Sequence, residues 1–129
     1  MPDAPLSEFC IYTIAEPTRL AAIAAKGGKA SFKEGKPWVT GHKLLAAAQR
    51  QQLRMPILFG DATDCRQLRH WGILTSVGIG PDGTRYAVDG LRPFTRRRSP
   101  QELVLRSTGE RIAAGFIRPY AICRTPDFI

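Results

Sequence analysis

A mixed α+β domain is the fold class this 129-residue sequence predicts: a small β-barrel of about six short, mostly antiparallel strands with two helices inserted after the first strand. Three observations carry the expectation. Residues 71–91 alternate in polarity around a Gly-Pro-Asp-Gly turn, as two strands of a hairpin do. Helical periodicity is confined to two segments, both early in the chain. Glycines at 72, 78 and 90 interrupt the hairpin strands, where they mark bulges or the bends that close a sheet on itself. An open, all-antiparallel sheet is the alternative.

Taken in order, Phe9 to Ala15 is rich in branched and aromatic residues and reads as a strand. Glu16-Pro17 ends it. Proline suits the first turn of a helix, and Leu20, Ile23 and Ala24 share one helical face, so a short helix is expected over about Thr18 to Lys26, closed by Gly27-Gly28. Residues 29–40 mix Lys, Gly and Pro with Phe32 and Trp38, which predicts a loop with at most one short strand. Thr40 is the expected N-cap of a second helix carrying Leu44, Leu45 and Ala48 inward. Met55 to Gly60 is a further strand, and the polar run Asp61 to His70 reads as a helical turn or loop.

In the hairpin, Trp71, Ile73, Thr75, Val77 and Ile79 are expected on one face and Gly72, Leu74, Ser76 and Gly78 on the other. Tyr86 and Val88 should share a face of the returning strand, opposite Arg85, Ala87 and Asp89. Arg92 to Pro100, with two prolines and three consecutive arginines, reads as an exposed connection. A second hairpin is expected from Glu102–Ser107 and Arg111–Ile117 around Thr108-Gly109.

The hydrophobic fraction of 43% and charged fraction of 23% are those of a globular domain. The length suits one domain over residues 1–129. No run approaches the roughly 18 apolar residues of a membrane helix, and the first residues lack signal-peptide character, so no membrane association and a cytoplasmic location are expected. Cys10, Cys65 and Cys123 fit neither a disulfide framework nor a metal site. His42 and His70 have no ligand-type neighbour at metal-binding spacing, and no cofactor is implied. The G-x-S-x-G, P-loop and H-E-x-x-H signatures are absent, and no cysteine has an evident activating partner.

Charge is the most informative global feature. The net charge is +8, and of the 19 basic residues 8 fall in residues 1–54, 2 in 55–84 and 9 in 85–129, with a local peak at Arg96, Arg97 and Arg98. Such a balance suits a polyanion partner, RNA or DNA, because Lys and Arg that neutralise phosphates supply most sequence-independent affinity.

Several segments carry a family likeness. FCIYTIAEP resembles the opening strand of EVE domains in the PUA-like superfamily, KPWVTGHKLLAAAQR is similar to their next landmark of Trp, Gly and a helix, and ILFGD with HWGILTSVGI resembles the strands that follow. The likeness covers about the first 80 residues, and Ile11-Tyr12, Ile14-Ala15 and His42-Lys43 depart from the family pattern. It implies a PUA-like barrel that binds RNA or DNA and holds a single, often modified, base such as a modified cytosine. A flipped base needs flat apolar faces, edge hydrogen bonds and a basic rim. On that reading Tyr12, Trp38 and Trp71 are stacking candidates, Glu16, Thr40 and His42 edge readers, and Lys36, Lys43, Arg96, Arg97 and Arg98 phosphate contacts. Each has a plainer reading: core or rim packing for the aromatics, solvated surface for the charges. Two other classes stay open. One is a small ASCH-like amidohydrolase acting on acylated cytidine through Lys43, Thr40 and Glu16. The other is a protein-interaction adaptor whose basic face is incidental.

Overall fold

In the computed structural model, which describes residues 4–114 and 120–129 with the side chain of Cys65 excepted, the chain runs β1 (Phe9–Ala15), α1 (Pro17–Ala25), β2 (Ala30–Glu34), α2 (Val39–Arg50), β3 (Met55–Asp61), β4 (Asp64–Gly80), β5 (Gly83–Arg98), a 3-10 turn (Pro100–Glu102) and β6 (Tyr120–Arg124). The strands form one six-stranded sheet in the order β2-β5-β4-β3-β1-β6. All pairings are antiparallel except β1 with β3. The α+β class therefore holds, but the sheet is open, with β2 and β6 at its two ends, and no barrel closes among the described residues. Both helices follow β1, with β2 between them.

The first helix obeys its local signals. Pro17 occupies its first turn, and Gly27 and Gly28 take φ of 101° and 81° past its end, so that the Gly28 N–H donates to the Ile23 carbonyl at 2.9 Å. A side chain at Gly28 would also meet the backbone of Leu91, whose N–H donates to the Gly28 carbonyl at 3.1 Å. The second helix departs from expectation. Its N-cap is Trp38 rather than Thr40, without a side-chain cap, and the Gly41 N–H of its first turn donates to the Tyr120 hydroxyl at 2.8 Å. A distant tyrosine thus satisfies a donor that the local sequence leaves open.

Strand alternation sorts the core into two faces. Ile11, Ile57 and Phe59 join Leu74, Val77, Tyr86 and Val88 under the helices, where Leu20, Leu45, Ala48, Phe32 and Trp38 cover them. Cys10, Tyr12, Leu58, Leu68, Ala121 and Cys123 face the other side, beneath Leu103 and Ile112. Strand β3, central and buried along its whole length, contributes to both.

The long hairpin is present, but larger and less regular than the sequence predicts. Both Asp64–His70 and Arg92–Arg98, expected as loops, belong to β4 and β5. Leu74 pairs with Val88 and Ser76 with Ala87, so Thr75 is an extra residue, and the bulge turns Leu74 and Val77 onto the same buried face despite their odd spacing. Tyr86 and Val88 do share a face, as expected. The second hairpin reduces to a bridge between Val104 and Arg111, with the Leu105 N–H donating to the Glu110 carbonyl at 2.8 Å. Residues 115–117 of its expected second strand, and Arg118-Pro119 after it, lie outside the described residues.

At the end of α2, Gln52 holds φ of 58° while the Leu53 N–H donates to the Ala48 carbonyl at 2.9 Å. This left-handed position favours glycine. Gln52→Gly is expected to raise stability by about 0.5–1 kcal/mol, read as a higher urea midpoint at unchanged slope.

Candidate nucleic-acid interface

The predicted base pocket does not assemble. Trp38 is 0% exposed, its ring stacked between Tyr86 at 4.3 Å and Tyr120 at 4.8 Å between centroids. The backbone N–H of Trp38 donates to the Thr84 hydroxyl at 2.9 Å, which in turn donates to the Lys36 carbonyl at 2.7 Å, so the loop before α2 is pinned to β5. Tyr12 is 1% exposed and lies on the opposite face of the sheet, its hydroxyl close to where a Gly60 side chain would begin. These two rings are core, and the sheet stands between them, so they cannot sandwich one base.

The polar candidates are dispersed. Glu16, His42, Lys36 and Lys43 are all exposed, with Glu16 at the N-cap of α1 and the histidine and Lys43 on α2. Thr40 is exposed too, beside a cleft of about 220 Å³ that it shares with Leu105, Arg106, Ser107, Tyr120, Ala121 and Ile122. Neither Glu16 nor Lys43 lines that cleft, so the amidohydrolase group is not gathered there.

What the structure does bring together lies at the far end of the β4–β5 ribbon. Leu68 pairs with Arg98 and His70 with Pro93, two steps along β4 against five along β5, so three additional residues are accommodated on β5. A bulge of this size lifts its residues off the sheet. Thr95, Arg96 and Arg97 are accordingly exposed, and residues 93–97 with Gln67, Leu68 and Arg69 bound an open cleft of about 550 Å³. Proline tolerates this irregular position because it has no N–H to contribute to a ladder.

Phe94 is the ring that lines this cleft among the described residues, and further ring–cation pairs flank it along β4, β5 and the segment after β6. Trp71 is half-buried with the Arg92 guanidinium 4.7 Å above its centroid. Phe94 meets Phe128 edge to face at 5.8 Å, and Arg98 covers Phe128 at 4.3 Å while pairing with Glu102 at 3.2 Å. Among the described residues Arg96 and Arg97 make no ion pair. Of the predicted residues, then, Trp71, Arg96, Arg97 and Arg98 share this region. Arg69, Arg92, Phe94 and Phe128 join them without having been singled out in the sequence. The run TRRR pointed to the place, but nothing local tied Phe128 to it.

Two buried groups set its electrostatics. Asp61, 2% exposed, accepts from the Thr63 N–H at 2.7 Å and hydroxyl at 2.6 Å and from Arg69 Nε at 2.8 Å. Burial works to raise its pKa, but these donors and the Arg69 charge outweigh it and hold the carboxyl below 3.8. His70 is buried with Nδ1 unpartnered among the described residues, and burial, aided by the Arg69 charge, lowers its pKa from 6.5.

Comparison with known protein families, with curated proteins and with solved structures finds no match. No helix among the described residues is long and apolar enough to cross a membrane.

Two outcomes are expected. Trp38→Ala should cost about 3–5 kcal/mol in chemical unfolding, whereas Trp38→Phe, which removes a buried Nε1 with no partner among the described residues, should cost less than about 1.5 kcal/mol. Because the folded pKa of His70 is depressed, the unfolded chain takes up a proton first, and stability is full above pH 6.5 and falls as pH drops below it. His70→Gln should flatten that decline in thermal midpoint between about pH 6.5 and 5, while the further loss from Asp61 near and below its ordinary 3.8 persists.

Proposed function

We propose that this protein is a nucleic-acid-binding module that grips the sugar-phosphate backbone at the bulged end of its long hairpin. The observation that carries the reading is the pair Arg96 and Arg97, raised out of the sheet into an open cleft with no ion-pair partner among the described residues. A guanidinium offers a planar fork of donors matched to phosphate oxygens, and one left unpaired has no competing carboxylate to displace. Arg69 and Arg98 already hold carboxylates, so they contribute field more than new bonds. Net charge of +8 adds long-range attraction.

The bases would meet Trp71 with Arg92, and Phe94, since aromatic rings and guanidinium planes both stack on bases without regard to sequence. The likeness of the first strand and second helix to EVE domains supports the same partner class. The pocket that likeness implies at Trp38 and Tyr12 is filled by core packing, so selection of a modified base is assigned to the Trp71 region. The site proposed is thus a surface, with backbone contacts dominant and base contacts secondary.

The test is the salt dependence of binding to a labelled oligonucleotide. The logarithm of affinity should fall linearly with the logarithm of salt, and the double variant Arg96→Ala/Arg97→Ala should bind more weakly at every sequence with a slope shallower by about 1.4–1.8. Its unfolding should match the parent, because both side chains are exposed and unpaired among the described residues. Absence of binding at low salt, or equal binding by the double variant, would sink the proposal.

A further inference from the structure

Cys10 in β1 and Cys123 in β6 stand directly opposite each other across the antiparallel pair that carries the last strand. Both thiols are free, both are 0% exposed, and both belong to the same buried cluster, so their side chains leave the sheet on one side. The Thr125 N–H donates to the Glu8 carbonyl at 2.8 Å, two register steps away, which makes Cys10 and Cys123 a hydrogen-bonded pair of the ladder. Such pairs hold their Cα atoms about 5.5 Å apart, inside the roughly 4.4–6.8 Å that a disulfide spans, while their Cβ atoms, toward the wide end of about 4.5–5.5 Å, must close by about 1 Å, so the bond needs a local shift of β6 against β1. The Cys10 thiol already leans toward β6, reaching the Arg124 carbonyl at 3.7 Å.

We propose that Cys10 and Cys123 are a thiol-modification site, converted by hydrogen peroxide into an intrachain disulfide that staples β6 to β1. One sulfur attacks a peroxide oxygen, the O–O bond breaks, and a sulfenic acid and one water form. The second sulfur then attacks the sulfenic sulfur, the S–O bond breaks, and the departing hydroxide takes the remaining thiol proton to leave as a second water. Two thiols are oxidised and one peroxide reduced, with no further reactant needed.

The surroundings set the rate. Burial first, and then the Cys123 sulfur facing it, push the Cys10 thiol well above its usual range, and burial pushes Cys123 up to about 12. Thiolates are therefore scarce in the closed sheet, and the chemistry proceeds when β6, the terminal strand of the sheet order, lifts from β1. Once made, the bond ties down the strand whose Tyr120 stacks on Trp38 and receives the Gly41 N–H.

The experiment uses the full chain as Cys65→Ser, leaving these two thiols, exposed to hydrogen peroxide and then alkylated in denaturant. The expected product has lost both alkylation sites together, is lighter by two hydrogens, yields a Cys10–Cys123 crosslinked peptide, and unfolds at a higher temperature until a dithiol reductant reverses the shift. Faster formation at mild denaturant concentrations would support opening of β6 as the gate. Oxidation of one cysteine alone to sulfinic acid, crosslinks between two molecules only, or full alkylation of both thiols after oxidation would each overturn it. Should Cys65→Ser fold poorly, peptide mapping of the parent chain distinguishes the same outcomes.

Discussion

The stack of Tyr86, Trp38 and Tyr120 is the constraint on which the fold turns. It draws together β5, the loop entering α2, and β6, three elements with no neighbouring place in the sheet order. Each ring buries a large apolar area, and offset stacking adds about 0.5–1.5 kcal/mol per pair beyond that burial. Tyr120 also receives the first-turn N–H of α2, so one residue serves both as packing and as cap. Burial pushes the Tyr120 pKa up despite that N–H bond, so the phenol stays protonated at ordinary pH. With the helix start fixed, Leu45 and Ala48 are brought onto the sheet face that Ile11, Ile57 and Leu74 present.

That arrangement separates architecture from chemistry. The helix-covered face is occupied by aromatic and aliphatic packing and leaves no room for a base. Cationic groups gather instead where the hairpin outruns its neighbours and its register slips. Sheet irregularity there does what loops do elsewhere: it frees side chains from the alternation that would bury half of them.

The sequence was legible where structure is local. Pro17 at one end and Gly27-Gly28 at the other bound α1, and the Gly-Pro-Asp-Gly turn with Tyr86 and Val88 defined the hairpin, because turn and cap chemistry acts within a few residues. It was misleading where distant partners decide. Trp38 sits among Lys, Gly and Pro and so reads as exposed, yet its burial is dictated by tyrosines far along the chain. Arg92 to Arg98 carries every local mark of a connection, but pairing with Leu68, His70 and Trp71 makes it strand. Thr75 illustrates a third limit, since a single extra residue reverses which face follows it and strict alternation cannot foresee it. Arg96 and Arg97 were placed correctly as exposed, while Arg98 is half-buried over Phe128, and that ring and Phe94 needed the folded chain to meet.

The place of β1 has a consequence for folding. Its parallel neighbour β3 lies within the first half of the sequence, but its other neighbour is β6, so Phe9 waits for Arg124 before its pairing is complete. Until Tyr120–Arg124 docks on it, an apolar strand with Cys10 and Tyr12 presents a raw border, open to any extended chain nearby. A folding molecule is therefore adhesive along β1 for as long as the strand from Tyr120 to Arg124 is missing, and that strand is what seals it.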